Sequence, residues 1–284
     1  MEPASRPPFR VLDLFSGIGG FSLGLERTGG FVTTAFCEID PFCRRVLAKH
    51  WPEVPCYDDV RALTAARLSA DGIGVDVICG GFPCQDISVA GKGAGLTGER
   101  SGLWREYARL VGELRPRFII VENVSALLAR GLDRVLGDLA EIGYDAEWHC
   151  IPASAVGAPH RRDRVWVVAY PARLQRDGGD DHARSGGQVL GAVSELGDGG
   201  CSANVAHAES GRPRRRRDGP DAQLVRRLPS AATDWWSVEP PVGRVAHGVP
   251  RRVDRLRALG NAVVPQIPEL IGRAILAGEQ GDRA

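Results

Sequence analysis

Cys84 lies in Gly80-Gly81-Phe82-Pro83-Cys84-Gln85, directly after the apolar run Val75-Asp76-Val77-Ile78-Cys79. The run reads as a buried strand that feeds a loop, and the loop offers a thiol. Gly80 and Gly81 permit close backbone approach, Pro83 sets the turn before the thiol, and Gly91, Gly93, Gly95 and Gly98 follow. Such a cysteine is either a nucleophile held on a rigid support or a small, inert core residue. Other reactive groups recur further along the chain. Glu122-Asn123-Val124 closes the apolar run Phe118-Ile119-Ile120-Val121, and Pro159-His160-Arg161-Arg162-Asp163-Arg164 sits between two further apolar segments. Taken alone, those arginines read as a solvated strand edge. Glu38, in Cys37-Glu38-Ile39-Asp40, follows the turn Gly17-x-Gly19-Gly20 by about 20 residues, the spacing at which nucleoside-binding folds set a carboxylate on ribose hydroxyls. The turn is either a backbone cradle for a ligand or only a tight connection, and Glu38 either a ribose ligand or an exposed strand-end acid.

Distant segments must be brought to one edge for these groups to act together. Phe9 to Phe15 predicts a first strand, and Ser16-Gly17-Ile18-Gly19-Gly20 turns the chain into a helix through Leu23 and Leu25. Phe31 to Phe36 predicts a second strand, with Pro41 opening a helix that carries Phe42, Val46 and Leu47. Tyr57-Asp58-Asp59-Val60 follows, where an acid could accept from an adenine amino group, and a weaker helical pattern runs through Leu63 and Leu68. Leu103, Trp104, Tyr107, Leu110, Val111 and Leu114 recur at helical spacing, which places Trp104 and Tyr107 in the core. After the Phe118 run, Leu132, Val135, Leu136 and Leu139 predict another helix, closed by Gly143. Ala146 to Ile151 and Arg164 to Tyr170 predict two more strands. Strands alternating with helices predict an α/β architecture, a doubly wound and mostly parallel sheet with ligands bound beyond the carboxyl ends of its strands. Gly17, Glu38, Cys84 and Glu122 all fall on that rim.

With 284 residues, 43% of them hydrophobic and 25% charged, the chain can bury a substantial core as one large domain plus a smaller one. No apolar run approaches the roughly 18 residues of a membrane span, and Met1 to Arg10 has no apolar leader pattern, so a cytoplasmic protein without a membrane partner is expected. Seven cysteines, at positions 37, 43, 56, 79, 84, 150 and 201, lack paired spacing or a nearby histidine cluster. Reduced thiols and no metal site are expected. A formal net charge of +1 provides no global attraction to a polyanion, so nucleic-acid binding requires a local basic surface.

Such a surface has one place in the chain. From about Pro171 the periodic pattern gives way to glycine, aspartate and arginine, and Pro213-Arg214-Arg215-Arg216-Arg217 is followed by Arg226-Arg227, Trp235-Trp236, Arg244, His247 and Arg251-Arg252. Basic and aromatic residues mix there as they do in nucleic-acid surfaces, although residues 173–203 read equally as a disordered insert. Ala258-Leu259-Gly260-Asn261-Ala262-Val263-Val264-Pro265 then leads into a last helix with Ile267, Leu270, Ile271, Ala274 and Ile275 on one face, which should pack back on the first domain.

Taken in order, Asp13-Leu14-Phe15-Ser16-Gly17-x-Gly19-Gly20, Gly81-Phe82-Pro83-Cys84-Gln85, Glu122-Asn123-Val124, Arg162-Asp163-Arg164 and Gly260-Asn261-x-Val263-Val264-Pro265 resemble the motifs of the DNA (cytosine-5)-methyltransferase family. The resemblance covers the first 170 residues and the last 35 or so. It implies a Rossmann-like methyltransferase fold over residues 1–171, a smaller, loop-rich target-recognition domain over 172–249, and a return to the catalytic domain over 250–284. It also implies a catalytic set of Cys84, Glu122, Arg162 and Arg164. Cys84 would attack cytosine C6, Glu122 would act as the acid at N3, Arg164 would donate to O2, and Arg162 would lie near the cysteine or the base. For the cofactor, S-adenosylmethionine, the resemblance places Phe15, Gly17, Ile18 and Gly19 at its methionine and adenine parts. Glu38 falls at the ribose, Ile39 against adenine and Asp59 at the adenine amino group, with Pro83, Leu103, Asn261 and Ala262 completing the pocket.

The implied substrate is double-stranded DNA with its target base flipped out, and the implied form is a monomer acting apart from any cognate restriction endonuclease. Two rivals remain at this level: an RNA cytosine methyltransferase of the same fold, and an inactive nucleic-acid-binding protein that senses S-adenosylmethionine. His160 stands where many family members have glutamine. No clear copy of the arginine-rich motif precedes Gly260-Asn261, where Arg251-Arg252-Val253-Asp254-Arg255 takes its place.

Overall fold

Four of the apolar runs become adjacent parallel strands, because a strand that is apolar on both faces must be covered on both faces. A computed structural model of the chain describes residues 6–83, 102–172 and 252–281. Cys84, the glycine-rich stretch after it and the basic, aromatic region assigned to target recognition lie outside the described residues. Strands β1 (Phe9–Leu14), β2 (Phe31–Cys37), β3 (Cys56–Tyr57), β4 (Val77–Gly80), β5 (Phe118–Val124), β6 (Tyr144–Pro152) and β7 (Asp163–Pro171) form one sheet in the order β3-β2-β1-β4-β5-β7-β6. The pairs from β3 to β5 are parallel, and β7 runs antiparallel to both β5 and β6.

Side-chain alternation sorts the core onto two faces. Leu12, Leu14, Ile78, Ile119 and Val121 pack on one side with helices α4 (Gly102–Leu114) and α6 (Leu132–Ile142). Val11, Val77, Cys79 and Ile120 pack on the other with α1 (Gly20–Glu26) and α8 (Gln266–Gly281). Trp104 and Tyr107 are core residues, as their spacing predicted. Their rings stack at 5.4 Å, and the Trp104 indole donates to Asp138 at 2.8 Å. Ile267, Ile271 and Ile275 bring α8 back onto the sheet beside Phe21 and Leu25 of α1. Gly24 makes this contact possible, since a Cβ there would lie 2.2 Å from the Pro265 carbonyl oxygen.

The remaining α-helices among the described residues are α2 (Pro41–His50), α3 (Ala65–Ala70), α5 (Leu127–Arg130) and α7 (Arg252–Asn261), and a 3-10 helix spans Ala153–Val156. α5 and α7 were not expected from the sequence. In α7 the exposed Val253, Leu256 and Leu259 make a poor amphipathic signal, and among its described side chains only Ala258 is buried. The helix through Leu63 and Leu68 is shorter than its pattern suggested, beginning at Ala65 where Thr64 accepts from the Arg67 amide.

Asp13 lies fully buried on the α1 face of the sheet, accepting from the Ser22 hydroxyl at 2.8 Å, with its second oxygen unpartnered. Burial pushes its carboxyl up to about 8, against the lowering effect of the Ser22 hydrogen bond. At this group the folded chain therefore keeps a proton that the unfolded chain releases, and the contribution of Asp13 to stability falls as pH rises from about 4 to about 8, by at most ~1.4 kcal/mol per pH unit. Asp13→Asn, a neutral shape mimic, is expected to flatten this slope. Urea midpoints of wild type and variant at pH 5, 6, 7 and 8 measure it.

Candidate active site

At the carboxyl edge of β1, a glycine turn meets an acid from β2. Phe15 and Gly17 take positive φ values of 53° and 55°, and Gly19 caps α1 at φ 85°. Ser16 holds the turn by donating its hydroxyl to the Asp13 carbonyl at 2.6 Å. Glu38 is buried, so it is not the exposed strand-end acid that its position alone allowed. One of its oxygens accepts from the Gly17 amide at 2.7 Å and the other from the Asp40 amide at 2.7 Å. Asp40 in turn caps α2 by accepting from the Phe42 and Cys43 amides. A Cβ added at Gly17 would meet nothing within 4 Å, so the turn faces open space, with Ile18 half-buried beside it and Ile39 67% exposed. The Glu38 amide donates to the Tyr57 carbonyl, which brings the Asp58-Asp59 loop alongside. Asp59 is held locally: its carboxylate accepts from the Arg61 amide at 2.9 Å and the Arg61 Nε at 3.0 Å. The Arg61 hydrogen bond is the main reason that its acidity is raised.

One strand further on, β4 leads out toward the thiol. Gly80 presses against the Leu14 carbonyl, where a Cβ would sit 2.2 Å from the oxygen. Phe82 is buried with its ring 5.2 Å from that of Trp104, and its carbonyl accepts from the amide side chain of the buried Asn123 at 3.2 Å. The Asn123 side-chain oxygen accepts from the Val124 amide at 2.9 Å, which sets the side chain's orientation. The chain is thus anchored up to the half-buried Pro83, the last described residue before Cys84. Leu103, at the start of α4, packs partly buried against the same core.

Beside Gly81 stands Glu122, 12% exposed and paired with Arg164 (Nε to Oε1) at 2.8 Å. The antiparallel pairing of β5 with β7 sets Glu122 opposite Trp166 and Val124 opposite Arg164. The start of β7 therefore lies at the edge where β5 ends. Burial raises the Glu122 carboxyl above the usual carboxylate range, with Arg164 and then Arg162 pulling it back. Gly81 makes room for this carboxylate: a Cβ there would come within 2.7 Å of Glu122 Oε2. Arg162 points toward the C-terminal segment, donating to the Gly260 carbonyl at 2.7 Å and the Ala262 carbonyl at 2.9 Å. Between those two carbonyls sits Asn261, exposed, with Ala262 half-buried next to it. No group of three or more metal-binding side chains occurs among the described residues.

The family model described as C-5 cytosine-specific DNA methylase matches residues 9–186, more than half of the chain. The chain belongs to the C-5 cytosine-specific DNA methylase family. Among curated proteins, it is similar to the Type II methyltransferase M2.BsuMI of Bacillus subtilis, 36% identical over 168 residues that make up 56% of this chain and 41% of that protein. It is also similar to the Type II methyltransferase M.HgiBI of Herpetosiphon aurantiacus, 36% identical over 60% of this chain and 39% of that protein. The chain thus spans about two fifths of the length of these relatives. In structure it resembles the Entamoeba histolytica methyltransferase EhMeth, with a TM-score of 0.51 and 18% identity over 61% of this chain and 56% of that one. That likeness concerns the fold alone, and the seven-stranded sheet is a Rossmann-like methyltransferase fold.

Sequence reasoning quoted Asn123 as part of a motif but did not assign it the anchoring of Phe82, and it missed the buried Asp13–Ser22 pair. A short polar side chain inside an otherwise apolar strand was the available signal in both cases. Gly81→Ala is expected to leave the melting temperature within about 3 °C, because its new methyl meets the movable end of Glu122. The displaced carboxylate should nevertheless lower turnover of the family's reaction by about tenfold or more. Thermal melts alongside steady-state rates check both parts.

Proposed function

We propose that this chain transfers a methyl group from S-adenosylmethionine to C5 of a cytosine flipped out of a specific duplex DNA sequence, through a covalent bond between Cys84 and C6. The observation that carries this reading is the half-buried Glu122–Arg164 pair, set against Gly81 three residues before the thiol. Cytosine C5 is a poor nucleophile until electron density is added to the ring at C6, and a thiolate is the side-chain nucleophile suited to adding it. As the Cys84 sulfur bonds to C6, the C5–C6 π pair shifts to C5 and negative charge builds toward N3 and O2. A carboxyl whose proton affinity is raised by burial suits N3, and the Arg164 guanidinium suits O2. Once C5 carries the methyl group, loss of the C5 proton, departure of the Cys84 thiolate and return of the N3 proton to Glu122 restore the aromatic ring.

The residues present fit the cofactor. Gly17 faces open space, and the two Glu38 oxygens, each already holding one amide, keep a lone pair apiece for ribose hydroxyls. Phe15, Ile18, Gly19, Ile39, Asp59, Pro83, Leu103, Asn261 and Ala262 complete the pocket in this reading. S-adenosylmethionine supplies a methyl on a sulfonium, electrophilic enough to be taken by the activated C5. Residues 172–249 serve target recognition here, their arginines reading guanine edges in the groove. No helix among the described residues is long and apolar enough to cross a membrane. The same reading takes the chain as a cytoplasmic monomer that works on DNA apart from any endonuclease.

The test is transfer of labelled methyl groups from S-adenosylmethionine to duplex DNA and, in parallel, to transfer RNA. Incorporation into RNA alone would overturn the DNA assignment. Cys84→Ala should abolish transfer while S-adenosylhomocysteine still binds, and duplexes carrying 5-fluorocytosine should trap wild type in a denaturation-resistant adduct. Undiminished turnover by the variant would rule out the covalent step. Glu122→Gln, which cannot deliver a proton to N3, should lower kcat by about 10²- to 10⁴-fold with little change in cofactor affinity. Single-turnover rates at saturating cofactor measure that loss.

A further inference from the structure

The C-terminal segment reaches across the rim of the sheet and is fastened at both ends. At one end Arg257 of α7 pairs with Asp40, the residue that caps α2 just beyond Glu38. At the other, Arg162 bridges the Gly260 and Ala262 carbonyls, 98 and 100 residues further along the chain. Just beyond these points the segment rests on α1, where a Cβ at Gly20 would come within 2.7 Å of the Val263 carbonyl oxygen. Gly20 directly follows the glycine turn, so the segment lies against the wall that faces the proposed cofactor.

Arg162 is held in the left-handed region, at φ 41°, a conformation that costs a non-glycine residue about 1 kcal/mol or more. Such a backbone persists only where the surroundings require it. Here it aims the guanidinium at two carbonyl oxygens rather than at solvent, which an arginine on a solvated strand edge would not need. The Gly260 carbonyl belongs to the last turn of α7, where helical carbonyls lack a partner within the helix, so one charge-assisted bond caps that turn and the second holds Ala262 just beyond it. The same guanidinium lies close enough to Arg164 and Glu122 to feel both charges.

We propose that Arg162 is a positioning residue for the cofactor rather than a group that acts on the base: by clamping the carbonyls on either side of Asn261, it sets Asn261 and Ala262 against the glycine turn. This inference rests on the reading that the glycine turn and Glu38 bind S-adenosylmethionine. The clamp joins the two walls of the site, since Arg162 is two residues from Arg164 on the base side and bonded to the cofactor side. Order in one wall thereby supports order in the other.

Arg162→Gly is the discriminating variant, because it removes the guanidinium and relieves the left-handed backbone at the same time. Arg162→Lys is its companion, with one ammonium able to reach only one carbonyl well. Calorimetric titration with S-adenosylhomocysteine and steady-state methyl transfer to duplex DNA should be run on full-length wild type and both variants. Arg162→Gly should weaken S-adenosylhomocysteine binding and raise KM for S-adenosylmethionine by about tenfold, equivalent to about 1.4 kcal/mol, with kcat within about threefold of wild type. Arg162→Lys should fall between the two. Unchanged affinity with a collapsed kcat would overturn the proposal and return Arg162 to the base, as would unchanged values of both. Wild type that binds no S-adenosylhomocysteine would instead overturn the cofactor reading itself, an outcome visible before any variant is made.

Discussion

A carboxylate taken out of water at the end of a strand costs several kcal/mol unless a charge or a set of donors meets it. Glu122 is in that position, and Arg164 meets it at 2.8 Å. The pair requires β7 to run against β5, so that an arginine from the start of one strand reaches a glutamate at the end of the other. It requires Gly81, whose missing side chain leaves space for the carboxylate. It also binds the site's chemistry to its packing, because the low-dielectric surroundings that strengthen the ion pair are those that raise the carboxyl's proton affinity. An exposed pair of the same geometry would contribute little and titrate as an ordinary acid.

Around this pair the rim is assembled from backbone rather than from long side chains. Glu38 accepts from two amides, Asn123 donates to a carbonyl, Ser16 donates to a carbonyl, and Arg162 donates to two. Each bond ties a loop that carries a proposed ligand group to a strand or helix of the sheet. Turn geometry of this kind is more rigid than a surface held by solvated charges, which suits a site that must align a base and a methyl donor. Asp13 shows the cost of such an arrangement: one carboxyl is buried beneath the glycine turn with an oxygen unpartnered.

Much of the strand and helix order was legible because apolar runs and helical spacing are local signals. Phe9–Leu14, Phe31–Cys37 and Phe118–Val124 became strands, and the Leu103 to Leu114 pattern became a helix with Trp104 and Tyr107 inside. α7 was not legible. Its three exposed apolar residues give it little amphipathic character, and it is fastened by Arg257 to Asp40 and Arg162 to Gly260, partners far away in the chain. Within the site, the residue types at the strand ends could be read, but the burial of Glu38 and the direction of Arg162 could not. Both depend on which loops arrive from elsewhere.

By itself, then, the sequence determined the alternation of strands and helices, the placing of glycine turns and acids at strand ends, and the family whose motifs appear in this order. Those features follow from side-chain periodicity and backbone preference, which act over a few residues. Tertiary structure alone decided that β7 is reversed, that Arg164 therefore meets Glu122, and that Arg162 turns away to hold the segment around Asn261. The direction of a strand set between two others, as β7 is between β5 and β6, is settled by packing and hydrogen-bond pairing between separate segments of the chain. Burial of a charge is settled by everything that closes over it, and no local stretch of sequence contains that information.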